Sequence, residues 1–463
     1  GRSPVVMFEK FKGHTMPVVT NIAGNRKLLA ACLGVKPAEL PTAFRERCQK
    51  YIPCEIVSNA AWDEVVIEGD DIDLWKLPVP LQFTVDAAPY ITAGQLTARD
   101  PVTGVDTTGF HRLMLKDKNR LGVSLHSRRR LYEFHRRAEE KGQSLPVAIT
   151  IGVHPLHYMG SMVYAYPQNV RKFEIIGGLF GEPYRLARCG VADLEVPAGA
   201  EIVIEGEILA GVHEPEGPFG EFTGYASYRS TQNIFVAKRI RMRRDAIYHS
   251  VVSGMSQDHI LVSCITREGE ILNALKRNLP NVRAVHVPHT TCGAFMAIVS
   301  MRKIAEGEPH MAMMATFGTE LYTKQVIVVD EDVDTQRWLY LIKGRERDCT
   351  LAGAAAIRPW PASAAPIRRS RKNPSRSGSR SGSRCPEARS HSRSGCRTGT
   401  SARWARSAPA PRPVPPPRRR DWRIRPAPSC IPCPRSRPSS ARSAAPRRSC
   451  PPSAGRCGLR RRG

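Results

Sequence analysis

The 463-residue chain is predicted to be a multidomain protein of mixed α+β and α/β class. Its expected parts are an N-terminal α/β unit (1–90), a central β-rich domain (91–245), the start of a C-terminal α/β domain (246–342) and a disordered basic tail (343–463). Three observations predict this. Helix-like and strand-like periodicities alternate at both ends of the body, with closely spaced strand patterns between them. The clearest strand, EIVIEGEIL at 201–209, alternates with period two. After about residue 342 the composition changes abruptly.

In the N-terminal unit, Arg26–Leu33 (RKLLAACL) is predicted as a helix and 64–68 (EVVIE) as a strand. Strands follow at 92–98, 109–115, 147–153 and 201–209. In the last, Ile202, Ile204 and Ile208 alternate with Glu201, Glu205 and Glu207, which predicts a sheet with one wet face, of barrel or sandwich type. Helices are expected at 129–141 and about 170–179. Beyond Asp245, Ile271, Leu272, Leu275 and Leu279 share one helical face, and Gln325–Asp330 (QVIVVD) is a short buried strand.

The formal charge of +28 suggests a nucleic-acid binder until it is divided. From Leu351 onward there are 27 Arg and one Lys against one Asp and one Glu, so the first 350 residues hold 42 basic against 40 acidic side chains, a net +2. The tail also has half of the 38 prolines and no Phe or Tyr. It cannot bury enough apolar surface to offset roughly 1–2 kcal/mol of backbone entropy per ordered residue. Two readings of it stay open. One is a cationic arm for phosphates, through SRSGSRSGSR (375–384) and the RRR runs at 418–420 and 460–462. The other is G/C-rich codons read in a shifted frame, since Arg so outnumbers Lys. Only Trp360, Trp404 and Trp422 could stack on bases, and Cys430 and Cys433 form a lone C-x-x-C without a second pair at zinc-finger spacing.

No run of 18 apolar residues and no signal pattern is found, so a cytoplasmic protein without a membrane span is expected. Seven cysteines in the body, without paired spacing, fit a reducing compartment. The chain opens without Met near a strand-like VVMFEKF and is expected to be incomplete at its N-terminus.

Phosphate-binding, dinucleotide-binding, zincin and serine-hydrolase motifs are missing. His154 and His157, in VHPLHYM, have the spacing of helical metal ligands, but Pro155 is expected to break the helix and leave them as loop histidines. Arg128 to Arg130, with Arg136 and Arg137, predict a basic helix face exposed to solvent or to another subunit. The most informative segment is HEPEGPFGEFTGY (213–225). Glu216 and Glu221 flank Gly217, Pro218 and Gly220, which places two carboxylates on a constrained loop at a strand end. Such a pair can hold a proton near neutral pH, or can be a solvated acidic turn.

This segment resembles the E-G-P-[FY]-G-[ED]-x-x-G-Y signature of the UbiD family of prenylated-flavin-dependent decarboxylases. GEPYRLARCGVADLEVPAGAEIVIEGEI (181–208), RRDAIYHSVVSG (243–254) and LYTKQVIVVDEDVD (321–334) resemble other family segments in the same order. The resemblance implies that the central domain is a flavin-reductase-like split β-barrel holding prenylated FMN, supplied by a flavin prenyltransferase. It further implies an Arg112, Glu216 and Glu221 set acting on an aromatic, heteroaromatic or α,β-unsaturated carboxylic acid through a covalent flavin adduct, reversibly. Arg112 would keep Glu216 ionised and attract the substrate carboxylate, and Glu221 would carry the proton. A homo-oligomer is implied as well. The alternatives are a catalytically inactive paralogue, a truncated product, or association with nucleic acid through the tail.

The chain departs from the family pattern at the cofactor phosphate. Family members use Mn²⁺, with K⁺ nearby, held by an Asn, a His and a Glu. The matching positions here are Thr107, His126 and Lys172. Only His126 is an ordinary ligand; a hydroxyl and an ammonium suit a hard divalent ion poorly. Either Lys172 replaces the metal by pairing with the phosphate, or Glu174 enters the shell, or cofactor binding is lost. Lys324 is a further phosphate-binding candidate by resemblance. Past Asp334 the family's continuation is missing, which predicts an incomplete C-terminal domain, exposed apolar surface and poor solubility.

Overall fold

The computed structural model describes residues 3–125 and 129–335; the expected basic tail, the end of the C-terminal domain and His126 lie outside them. The central sheet is built from β1 (Val65–Glu68), β2 (Tyr90–Ile91), β3 (Gln95–Arg99), β4 (Asp106–Phe110), β5 (Leu113–Asp117), β6 (Arg120–Val123), β7 (Leu145–Ile151), β8 (Ile202–Glu216) and β9 (Ser230–Met242). Its order is β2-β5-β6-β9-β8-β7-β3-β4, with β1 also paired to β9, and every pairing is antiparallel.

The strand expected at 109–115 is therefore two strands, broken at His111 and Arg112. There the chain leaves its pairing with β3 and enters a ladder with β2 and β6, near the opposite end of the sheet. A two-residue connection between strands so far apart in the order requires the sheet to curl. It does not close into a barrel among the described residues, because β2 and β4 are unpaired with each other.

β8 is 15 residues long and bends at two register shifts against β9. Ile202, Ile204 and Ile208 enter the main core with Leu96, Ile149 and Phe235, as the alternation predicts. The expected wet face holds in part at Glu201 and Glu207, which are half-buried, and fails between them. Val203 packs with Trp62, Tyr158 and Leu194, and Glu205 is fully buried. Glu205 accepts hydrogen bonds from the Val191 amide (2.7 Å) and from Arg241 Nε (2.9 Å). Segments distant in sequence cover this face, and a buried carboxylate is tolerated there because its partners are fixed.

Helices complete the layers. α1 (Arg26–Leu33) is capped by Asn25, whose side chain accepts from the Lys27 and Leu28 amides, and ends at Gly34 in the left-handed region. α2 (Leu40–Arg47) follows. α3 (Arg130–Glu139) lays Leu131, Phe134 and Ala138 on the central core, with about 1.5–3 kcal/mol for a fully buried large side chain. α4 (Pro155–Ser161) and α5 (Lys172–Phe180) pack with α1 and α2 through Leu29, Phe44, Met159 and Leu179. α6 (Gln257–Lys276) joins that cluster through Leu261 and Ile265, and a separate one through Ile260, Ile271 and Leu275. The latter cluster belongs to a sheet of β10 (Val282–His286), β11 (Met296–Met301) and β12 (Gln325–Asp330). β11 and β12 are parallel, and α7 (Glu308–Thr319) lies between them in the chain, as an α/β pattern requires. Among the described residues no helix is long and apolar enough to cross a membrane, and six cysteines are free.

Candidate active site

The break between β4 and β5 and the end of β8 meet. Arg112, released from both ladders, directs Nε to Glu216 Oε1 (2.9 Å) and Nη2 to Glu216 Oε2 (2.8 Å). Its remaining arm, Nη1, donates to Glu221. Glu216 is the last residue of β8 and its side chain is wholly buried, while that of Glu221 is 23 % exposed. The two acids thus share one guanidinium but differ in access. Burial opposes the charge on Arg112, and the two carboxylates outweigh it, holding the guanidinium above its ordinary range.

The loop between the acids is fixed by its neighbours. Gly217 sits at φ 83°, and a side chain there would strike the Tyr228 carbonyl. The Gly217 amide donates to the Tyr90 hydroxyl (3.1 Å). Gly220 lies against the Phe83 ring, and its amide donates to Asp86 (2.8 Å). Burial raises the Asp86 carboxyl, against the pull of the Gly220 and Phe83 amides. Phe219 places its ring 5.2 Å from the Arg112 guanidinium carbon.

Arg112 and Glu221 open on a cavity of about 910 Å³. Thr107 and Lys172 also line it, so the sheet brings together most of the side chains expected at the site. Thr107 Oγ1 lies 3.0 Å from the Tyr166 hydroxyl. Lys172, the first residue of α5, is 8 % exposed and donates to the Ser161 carbonyl (3.0 Å). Burial, reinforced by Arg129 and Arg130, pushes Lys172 down to about 7. Lys324 is not among the lining residues; its ammonium lies 4.5 Å from the centre of the Phe295 ring. Glu174 accepts from the Arg171 amide (3.1 Å) and caps α5, away from the lining set.

Arg129 is exposed, as predicted, and Arg130 is half-buried; both also line the cavity. One expectation needs correction. Pro155 begins α4 instead of breaking it, since the first helical turn needs no proline amide. His157 is consequently buried in that helix, 3.1 Å from the Tyr184 hydroxyl, and burial pushes it down to about 3. Sequence reading also missed Tyr90, Asp86 and His259, the last of which lines the cavity with Nδ1 3.1 Å from the Gly254 carbonyl. Each lies more than thirty residues from the signature, no local pattern marks them, and only the fold brings them close.

Comparison with known proteins identifies the family of the chain. Residues 1–48, 55–256 and 259–343 match, in order, the N-terminal, Rift-related and C-terminal domains of 3-octaprenyl-4-hydroxybenzoate carboxy-lyase. The chain belongs to the UbiD family. It is 32% identical over 330 residues to the anhydromevalonate phosphate decarboxylase of Methanothermobacter thermautotrophicus, covering 71% of this chain and 76% of that protein. Among solved structures, an evolved dimeric form of the UbiD-class enzyme HmfF from Pelotomaculum thermopropionicum, in complex with prenylated FMN, is 36% identical with a TM-score of 0.71. That match covers 74% of this chain and 80% of HmfF. The apo 3,4-dihydroxybenzoic acid decarboxylase of Klebsiella pneumoniae is 26% identical with a TM-score of 0.70, over 74% and 75% of the two chains. UbiD-family proteins are carboxy-lyases, and non-oxidative decarboxylation with prenylated FMN is the chemistry this chain shares at the level of the family.

The residues fit a flavin better than a metal. The cavity is large enough for a cofactor beside a small acid, and Gly109 leaves the β4 backbone bare opposite Lys172. For a divalent ion, no group of three or more His, Cys, Asp or Glu side chains is suitably placed among the described residues.

Proposed function

We propose that this chain decarboxylates an aromatic, heteroaromatic or α,β-unsaturated carboxylic acid, reversibly, with prenylated FMN in the 910 Å³ cavity. The observation that carries the proposal is the Arg112 fork closed on buried Glu216 and reaching accessible Glu221. The curled, open sheet supports a split-barrel description of the flavin-binding domain. When bound, prenylated FMN supplies the electron sink for the departing CO₂.

Thr107, Arg112 and Lys172 would hold the cofactor, with His126 and Lys324 as further candidates. Arg112, kept cationic by Glu216, orients a substrate carboxylate through its donors. Glu216 has no free face; it positions Arg112 and keeps its charge in place after the substrate carboxylate has gone. Glu221 stands at the wall and exchanges a proton with the substrate carbon, as general acid in decarboxylation and general base in the reverse direction. Phe219 and Phe222 keep water from that carbon. A flavin prenyltransferase is the cofactor's supplier in this reading, and a homo-oligomer its assembly.

Co-expression with a flavin prenyltransferase tests it. The expected product has a flavin-type absorbance and releases CO₂ from an unsaturated or aromatic acid. Glu221→Gln should keep the absorbance and lose both CO₂ release and exchange of the substrate proton with D₂O. Retained exchange in that variant would overturn the role of Glu221.

A further inference from the structure

We infer that Lys172, Arg130 and Arg129 form a metal-independent site for a phosphate monoester, which holds the flavin phosphate directly where a bridging divalent ion would otherwise stand. The inference rests on the proposed flavin cavity and deepens it.

All three cations line the cavity, and among the described residues none lies within ion-pair distance of a carboxylate. Lys172 spends one of its three donors on the Ser161 carbonyl. Arg130 donates to the Tyr166 (2.6 Å) and Pro167 (2.8 Å) carbonyls, neutral partners that leave its charge uncompensated. Its guanidinium stacks 3.6 Å over the Tyr166 ring, and Lys172 Nζ lies 5.5 Å from the same ring. Arg129 lies 4.8 Å from the Tyr164 ring centre.

Carboxylates do line the same cavity, but they are engaged elsewhere. Asp100 pairs with Arg137, and Glu133 with Arg136 and Arg137. Glu221 is held by Arg112, and Asp258 accepts from the Asn21, Ala23 and Val252 amides.

A buried ammonium without a counter-ion is strongly disfavoured in isolation. Holding three cations around one space makes sense when a dianion fills it. A divalent cation beside Lys172 would face the like charges of Lys172, Arg129 and Arg130, repelled at short range in a medium that screens poorly. The ammonium and a metal are therefore mutually exclusive occupants. A phosphate monoester satisfies both the charge and the free donors of Lys172.

The full chain, freed of cofactor, would be titrated with FMN and with riboflavin, each in EDTA and then in Mn²⁺, following flavin fluorescence. FMN binding should be the same in both buffers, and riboflavin, lacking the phosphate, should bind at least about thirtyfold more weakly. Inorganic phosphate should compete with FMN and leave riboflavin untouched. Lys172→Met should bring FMN down to the affinity of riboflavin. Because the substitution removes an uncompensated buried charge, the same variant should be no less stable to urea, an outcome a purely structural lysine would not give. Loss of FMN in EDTA, equal binding of the two flavins, or unchanged FMN affinity in Lys172→Met would each overturn the inference while leaving the flavin cavity standing. Failure of either flavin to bind in any buffer would overturn the cavity assignment and this site together.

Discussion

Around Arg112 one guanidinium meets two carboxylates, whereas around Lys172 three cations meet no carboxylate among the described residues. Both clusters open on one cavity. The difference teaches what each is for. The first is self-sufficient: each of its charged groups has an opposite partner before any ligand arrives, so its geometry is preorganised, and its outer carboxylate is partly exposed. The second is stable only at a cost that a bound anion removes, which is how binding sites differ from structural ion pairs.

Breaking the compensated cluster should have the largest effect. Arg112→Ala strands Glu216 without its ion-pair partner in a fully buried position, and a loss of about 3–5 kcal/mol in urea unfolding is expected, together with loss of turnover. A loss below about 1 kcal/mol would mean that Glu216 is neutral or hydrated in the native state.

Glu221→Gln should separate activity from stability. Turnover should fall by about 10²- to 10⁴-fold. The unfolding free energy should stay within about 1 kcal/mol of the parent, since the Glu221 side chain is partly exposed and Arg112 keeps its bidentate pair with Glu216. A large stability change would make Glu221 a second structural acid and erase the contrast between the two carboxylates.

The uncompensated cluster predicts a pH dependence. In the unfolded chain Lys172 titrates near 10.5, and in the fold burial brings it down to about 7. Between these values the unfolded state binds more protons, so the cofactor-free protein should gain stability as pH rises from about 7 towards 10.5, and lose it as pH falls back. The slope from this group is at most about 1.4 kcal/mol per pH unit. Lys172→Met should remove that component, and FMN should flatten it by supplying a counter-charge. Urea midpoints across this range, with and without FMN, measure it.

The smallest effect concerns the scaffold between the acids. Tyr90→Phe deletes the acceptor for the Gly217 amide and should cost about 1 kcal/mol of stability. A rate loss exceeding tenfold would show that the hydroxyl acts on Glu216 and not only on the loop.

Much of this was legible along the chain because the signals are local. The helix at Arg26–Leu33 and the strand at Gln325–Asp330 match in register, for apolar spacing and caps act within a few residues. The EGPFGE segment exposed two carboxylates and the glycines that shape their loop. Reading failed where a distant element decides the outcome. Glu205 looked solvated until residues near 62 and 191 covered it. The strand at 109–115 looked continuous until its two halves joined ladders at opposite ends of the sheet. Arg129 is exposed as read, but that it and Arg130 also line a cavity was not legible.

The order of residues thus determined the main element types and the acidic loop. Those properties depend on neighbours a few bonds away. Only the tertiary structure decided that Glu216 is sealed while Glu221 is accessible, and that Lys172 is buried beside two arginines with no carboxylate at hand. Charge compensation and desolvation act through space, over a few ångströms between segments more than a hundred residues apart, and no spacing in the chain encodes them.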